Sequence, residues 1–466
     1  MGIGRLLDLS VRTMSTYQSA IDIASQNISN AGSADYTRQK VVLASETANN
    51  GQGAGVKIQD VLRIRDEILD SQLRKYQSTY SDNTKRSEIL QKIEALLGEP
   101  SDEGLSAYFT QFFNAWDELS ANPTSTQLRL NVIQKAQQLS ERYKDQIDGF
   151  SEIQFTTQRE ATVQVEKINH FLKEIHELNQ KVYETEVRGN EANDLKDQRD
   201  KQINELSKLV NISVNRNSFG AVQVNVGGVY GADQTGFNQF KLSIINGQMK
   251  LVHSSNENAV AIVNGGEFNA IADIYSNKII KYKADYETLA TTFVNKVNEI
   301  HVSGNTLVNS GSSSTGIPFF GELAPGGSVI NAFVDGKMYI NTSILQSPKN
   351  IAASSTAGHD GNSEIANKIA ALFKTKFSEL GENNFVDKYA EILSSIGMDK
   401  VVADNGIKSG GLIMQNLETQ KMSYSGVSIE EEMTNVMKYQ RSFEAAAKLI
   451  KIADELLNTV INMAVR

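Results

Sequence analysis

Three groups of residues in this sequence have types that could do chemistry: His170 with His176, the acidic series Asp194, Asp197 and Asp200, and the run Gly51-Gln52-Gly53-Ala54-Gly55. A zinc-hydrolase helix carries two histidines one turn apart, because that spacing turns both imidazoles toward one ion. His170 and His176 are six apart, on different faces of a helix, and His176-Glu177-Leu178-Asn179-Gln180 contains no second histidine. They read as surface or packing residues. The acidic series, interleaved with Lys196 and Arg199, has neither the glycine turn nor the downstream bidentate glutamate of a calcium loop; it reads as a solvated or salt-bridged helix face. The glycine run lacks the Lys-Ser/Thr of a P-loop and a strand-then-helix setting, which leaves a turn. Cysteine is absent, so thiolate metal sites, Cys nucleophiles and disulfides are excluded. The expectation is a chain with no catalytic, cofactor or metal site.

The informative residues are then those that build and join helices. At 466 residues the chain exceeds the size at which single cores stop growing, so more than one domain is expected. Hydrophobic residues at 40% and charged residues at 22% suit a folded protein with a sizeable core. A formal charge of −9 offers no general attraction to phosphate backbones or anionic lipid, so protein partners are expected rather than nucleic acid or membrane. The N-terminus has no apolar stretch of a secretory signal, and no run is long enough to span a bilayer, which leaves export by a dedicated apparatus open. All five prolines lie outside Thr124 to Ile317, so long helices are permitted there.

Both ends carry heptad seams. Leu7, Met14, Ile21 and Ile28 recur at sevens near the start, and Ile429, Val436, Phe443, Ile450, Leu457 and Ala464 do so near the end. Alanines or aromatics follow three residues later, as in Tyr17, Ala24, Tyr439, Ala446 and Ala453. Such a/d seams pack against another helix, in the same chain or in another subunit. Ser428 and Glu431 form an S-x-x-E capping box, and Glu430 to Glu432 place negative charge at a helix start near Ile429.

Between the ends, Leu62 to Leu97, Leu128 to Tyr183 and Ile271 to His301 have apolar residues at helical spacing, which predicts an antiparallel rod or bundle. From Val210 to Gly266 the period changes: Val222, Val224 and Val226 alternate with polar residues, and Asn246-Gly247 between two apolar runs predicts a type I′ hairpin. Ser303 to Gly316 reads as a flexible loop. The fold class expected is mainly α with a β insertion: a long antiparallel helical rod, terminal helices in a coiled coil and a small outer β domain. The division expected is a terminal helical unit of residues 1–35 and 427–466, a helical core of 36–210, 268–302 and 358–426, and a β-containing outer unit of 211–267 and 303–357.

Two segments resemble signatures shared by rod, hook and hook-associated subunits of the flagellar axis. One runs from Gln18 to Ala31 and continues through Asp35-Tyr36-Thr37-Arg38-Gln39; the other runs from Gly426-Val427-Ser428-Ile429 through Tyr439-Gln440 to Ala453-Asp454-Glu455. A third, Asn193-Asp194-Leu195-Lys196-Asp197-Gln198-Arg199-Asp200 with Glu205 to Val210, is similar to a motif of the FlgK family, with Lys196 where that family usually has leucine. His359-Asp360-Gly361-Asn362-Ser363 loosely resembles a Gly-Asp-Asn element of the same family. The resemblance implies a structural junction subunit without enzymatic activity. It implies terminal helices that pair in an inner tube, with the two heptad stripes as the assembly interface. The partners it implies are the flagellar hook protein, the second hook-filament junction protein, further copies of the chain in a helical ring, and an export chaperone for the C-terminal helix. The place it implies is outside the cell, after export without a cleaved signal. Alternatives from the pattern are another axial subunit, such as a hook or distal rod protein, or a self-packed helical adhesin.

Overall fold

The computed structural model describes residues 2–33, 35–47, 53–98, 104–189, 191–216, 220–308 and 313–464. The first heptad segment forms α1 (Ile3–Ser29), followed by an antiparallel hairpin, β1 (Gln39–Thr47) and β2 (Gly53–Arg63). Then come α2 (Glu67–Leu97), α3 (Leu105–Ala121), the 62-residue α4 (Thr126–Val187) and α5 (Asn193–Leu209). Two three-stranded antiparallel sheets follow: β3 (Ile212–Arg216), β4 (Val222–Val226) and β5 (Val229–Ala232), then β6 (Phe240–Ile245), β7 (Gln248–His253) and β8 (Asn256–Val260). A π turn at Ile274–Lys278 joins α6 (Glu267–Asp273) to α7 (Ile279–Val302). Four two-residue strands come next, β9 (Glu322–Leu323), β10 (Val329–Ile330), β11 (Phe333–Val334) and β12 (Lys337–Met338), then α8 (Thr342–Gln346) and α9 (Glu364–Ala371). The chain closes on α10 (Phe385–Ser425) and α11 (Ile429–Ala464). The class is mainly α with a small β unit.

The core is aromatic. Phe293 of α7 meets Phe109 and Phe112 of α3 edge-on at centroid separations of 5.2 and 5.1 Å, and Phe319, Phe320, Phe385 and Trp116 close around them, all buried. His301 is wholly buried beside this cluster. The Ala352 N–H donates to its Nε2 at 2.8 Å, so Nδ1 carries the proton and donates to the Ile317 carbonyl at 2.7 Å. Burial pushes its pKa down to about 4. The Asn246-Gly247 turn forms as expected, with φ of 53° and 77° and Ile245 paired to Gln248.

α2 and α10 pack side by side and approach closely at one point. A Cβ on Gly406 of α10 would lie 2.6 Å from the Asn83 side chain of α2, so glycine there lets the two helices come close.

Some expectations change. Leu62 belongs to β2 and is 46% exposed; α2 begins only after Asp66, whose carboxylate caps the Ile68 and Leu69 N–H groups at 2.9 and 3.1 Å. The hairpin of residues 39–63 lies inside the stretch assigned to the helical core and packs on α1, with the Thr16 hydroxyl donating to the Val56 carbonyl at 2.9 Å. Gly53 to Gly55 opens β2, while Gly51 and Gln52 lie outside the described residues.

The two stretches assigned to one outer unit attach to α4 at different places. β3 to β8 attach to the later part of α4 through Asn169–Phe240, Asn179–Val222 and His176–Asp233 contacts. Residues 313–357 instead meet its start, where Arg129 donates to the Ile351 carbonyl and Ser140 to that of Met338. At about 1.5 Å rise per residue even the nearest of these anchor points, Ser140 and Asn169, are about 44 Å apart along the helix. Of Ser303 to Gly316, residues 309–312 lie outside the described set. The flanks are pinned: the Asn305 N–H donates to Ser354 O at 2.7 Å and Thr306 N–H to Ser314 O at 2.9 Å.

Candidate assembly surface

α1 and α11 lie side by side and antiparallel, since Tyr17 stacks near Tyr439 at 6.2 Å while Asn27, further along α1, reaches back to Glu432. The stripe residues are brought to facing helices: Leu7, Met14, Ile21, Ile28, Val436, Phe443, Ile450 and Leu457 are half-buried. Ile429 is exposed, and the side chain of Ala464 lies outside the described set. The deepest positions are small, namely Ser10, Ala20, Ala24, Ala446 and Ala453. Small residues let the backbones approach, but leave the larger apolar groups only partly covered.

A second stripe was not foreseen. Leu449, Ile452, Leu456, Val460 and Met463 recur at threes and fours on the outer side of α11, at 41–74% exposure, and Met433 and Met437 are exposed nearer its start. The spacing was readable, but a heptad register searched at sevens records one seam and passes over its neighbour.

Below the pair the three signature segments meet in a buried polar junction. Asn27 is its hub: Nδ2 donates to the Gln39 carbonyl at 2.8 Å and to Glu432 at 3.2 Å, while Oδ1 accepts from the Tyr36 hydroxyl at 2.8 Å and the Gln39 N–H at 3.0 Å. Arg38 donates to Glu432 at 2.9 Å and pairs with Glu431 at 2.7 Å. Half of the expected capping box therefore forms: Ser428 Oγ accepts from the Glu431 N–H, and the Glu431 carboxylate goes to Arg38. From the third segment, Asn193 Nδ2 donates to the Gln39 side chain at 3.1 Å, and Asp197 accepts from the Thr37 hydroxyl at 2.7 Å.

The acidic series takes the salt-bridged alternative. Arg63 pairs with Asp197 and, at 2.9 Å, with Asp200; Arg65 pairs with Asp200 and Asp70. Burial alone would raise the Asp200 pKa, but Arg65, Arg199 and Arg63 hold it well below the usual carboxylate range. Burial, with Asp194 and Asp197 nearby, pushes the Tyr36 phenol up to about 12, so it stays a donor to Asn27. The junction binds hairpin, α5 and α11 together at fixed positions. Among the described residues no cluster of His, Asp or Glu is placed to hold a metal ion, and no helix is long and apolar enough to cross a membrane.

Residues 90–320 match the family described as the flagellar hook-associated protein FlgK helical domain, and residues 418–463 match the flagellar basal body rod FlgEFG protein C-terminal family. Flagellar hook-associated protein 1 of Bacillus subtilis (strain 168) is 28% identical across 98% of this chain and 97% of its own length. The chain belongs to the flagellar hook-associated protein 1 family. The Escherichia coli (strain K12) member is 22% identical over 98% of this chain and 99% of its own. A solved structure, the flagellar hook junction protein FlgK from Burkholderia pseudomallei, shares the fold at a TM-score of 0.63, with 12% identity over 76% of this chain and 100% of that one. The family is one of structural flagellar proteins. Its axial-class C-terminal match falls on α11, the helix with the uncovered stripe, and its own helical-domain match spans α3 to α7 and the β unit between them.

Proposed function

We propose that this chain is a junction subunit of the flagellar axis, placed between the hook protein and the second hook-filament junction protein. It polymerises with copies of itself through α1 and α11. The observation that carries the reading is the outer stripe of α11, long, apolar and uncovered by α1, on a chain whose core is otherwise closed. Residues 1–35 and 427–466 act as the assembly unit, with the heptad stripes Leu7 to Ile28 and Ile429 to Ala464 holding the pair and the outer stripe meeting neighbours. Heterologous contacts that do not close a ring generate an open helical array. The same uncovered helix suits capture by an export chaperone in a helix-to-groove mode before the subunit leaves the cell.

The test changes only the outer stripe. Ile452→Asp with Leu456→Asp places two charges where a neighbour must bury them, without disturbing the alanine seam. The purified variant should melt like the parent, while a strain that carries it should neither retain the subunit at the hook tip nor grow filaments. Normal incorporation and filament growth would sink the reading.

A further inference from the structure

α11 outruns the helix that covers it. Tyr17 lies against Tyr439 and the two helices are antiparallel, so Ile3, the first residue of α1, falls opposite Ala453. The rest of α11, Asp454 to Ala464, projects past α1 by about 16 Å. The sequence changes at the same point. The seam position that carries Ala446 and Ala453 where α1 comes close is next filled by Val460. From Leu456 to Ala464 there is no charged residue; Leu456, Val460, Ile461 and Met463 are 47–74% exposed, and Leu457 is half-buried. At about 100° per residue these five spread over nearly half the helix circumference, wider than the a/d seam that holds one partner helix. Such an end needs a cover that α1 does not reach.

The same chain has a second uncovered patch, at the opposite end of the pair. Ile429, Met433 and Met437 recur at fours in the first turns of α11, at 50–54% exposure, beside the Glu432 that Asn27 and Arg38 hold in place. Met422 and Tyr424, which close α10, are exposed as well. Methionine side chains are flexible and fill irregular gaps, which suits the reception of a preformed helix end. Met433 and Ile461 are about 42 Å apart on one helix, so no molecule can bring its own two patches together.

We infer that the projecting end of α11, Leu456 to Met463, is covered by Ile429, Met433 and Met437 of a second copy of this chain. The two patches lie at opposite ends of one helix pair, so the contact is heterologous: each copy gives its end to one neighbour and receives the end of another, and the row stays open. Area favours the same partner. Specific interfaces bury roughly 800 Å² on each side, and the partly exposed side chains of the outer α11 stripe fall short of that alone. The head-to-tail contact adds the remaining face of the helix end and the methionine patch, with no charge between Leu456 and Ala464 to desolvate.

The inference rests on the assembly reading above, and cross-linking separates the two. The chain has no cysteine, so full-length protein with Met433→Cys and Ile461→Cys has only those two thiols. A disulfide needs Cα atoms about 4.4–6.8 Å apart, so one between these positions forms only between copies. Cysteine packs as a small apolar side chain, and incorporation at hook tips should be kept. Hook tips isolated from cells that carry this variant and oxidised with copper phenanthroline should give dimers and higher oligomers on non-reducing gels, at least about tenfold above either single variant. Ile429→Cys with Leu457→Cys is a second pair and should behave alike. Absence of cross-links with both pairs overturns the inference. So do dimers that Ile461→Cys gives by itself in equal yield, since the projecting ends would then meet each other. The Ile452→Asp, Leu456→Asp variant is run alongside. If it fails to assemble and both cysteine pairs stay uncross-linked, the assembly reading stands and the head-to-tail contact falls; if it assembles, the assembly reading is lost and the contact with it.

Discussion

The aromatic core and the terminal helix pair are both built from apolar helix faces, and they close in opposite ways. Around Phe293 the large rings interlock with each other and leave almost nothing exposed. Between α1 and α11 the buried apolar positions are alanines, Val436, Phe443, Ile450 and Leu457 are only half-buried, and a further set of large residues of α11 points away. Packing large against large saturates a surface, whereas packing on small residues brings backbones together and leaves an apolar face unsatisfied. The first arrangement makes a stable body. The second makes a subunit that is finished by its neighbours.

Three changes probe that contrast. The largest effect belongs to Phe293→Ala, which should cost about 3–5 kcal/mol and lower the melting temperature of the whole chain, because the cavity opens among rings that cannot collapse into it. A loss below 1 kcal/mol would mean the core is as loosely closed as the ends. The second is acid. His301 has a folded pKa of about 4 against 6.5 for the ordinary side chain, so the folded state binds fewer protons, and stability present above pH 6.5 is lost as pH falls toward 4. Between pH 7 and 5 the His301 contribution should fall by about 2 kcal/mol, with urea melts as the measurement and His301→Gln flattening the slope. The terminal pair has no buried histidine, and a matching acid response in its hydrogen exchange would break the comparison. The smallest is Ser428→Ala, which removes a cap worth about 0.5–1 kcal/mol. It should speed exchange only in the first turn of α11 and leave the core melt unchanged.

The sequence alone determined what depends on neighbours along the chain. Period-seven spacing made α1 and α11 helices, freedom from proline allowed α4 its length, and Asn246-Gly247 set a hairpin through the positive φ that both residues tolerate. Absent motifs pointed away from catalysis, and the three signatures pointed to the axial family. What the tertiary structure decided depends on residues far apart. Asn27, Tyr36, Gln39 and Glu432 are scattered over more than 400 positions, and nothing in their local spacing says that one asparagine amide joins them. Whether the acidic series was solvated or paired turned on Arg63 and Arg65 arriving from the hairpin. The hairpin itself was missed because its period-two pattern follows a strong helix and is read only once α1 covers it. Which stripe of α11 faces inward was also outside the reach of periodicity. Two apolar stripes on one helix look alike in sequence, and only the alanines opposite Ala20 and Ala24 select the side on which α1 can come close.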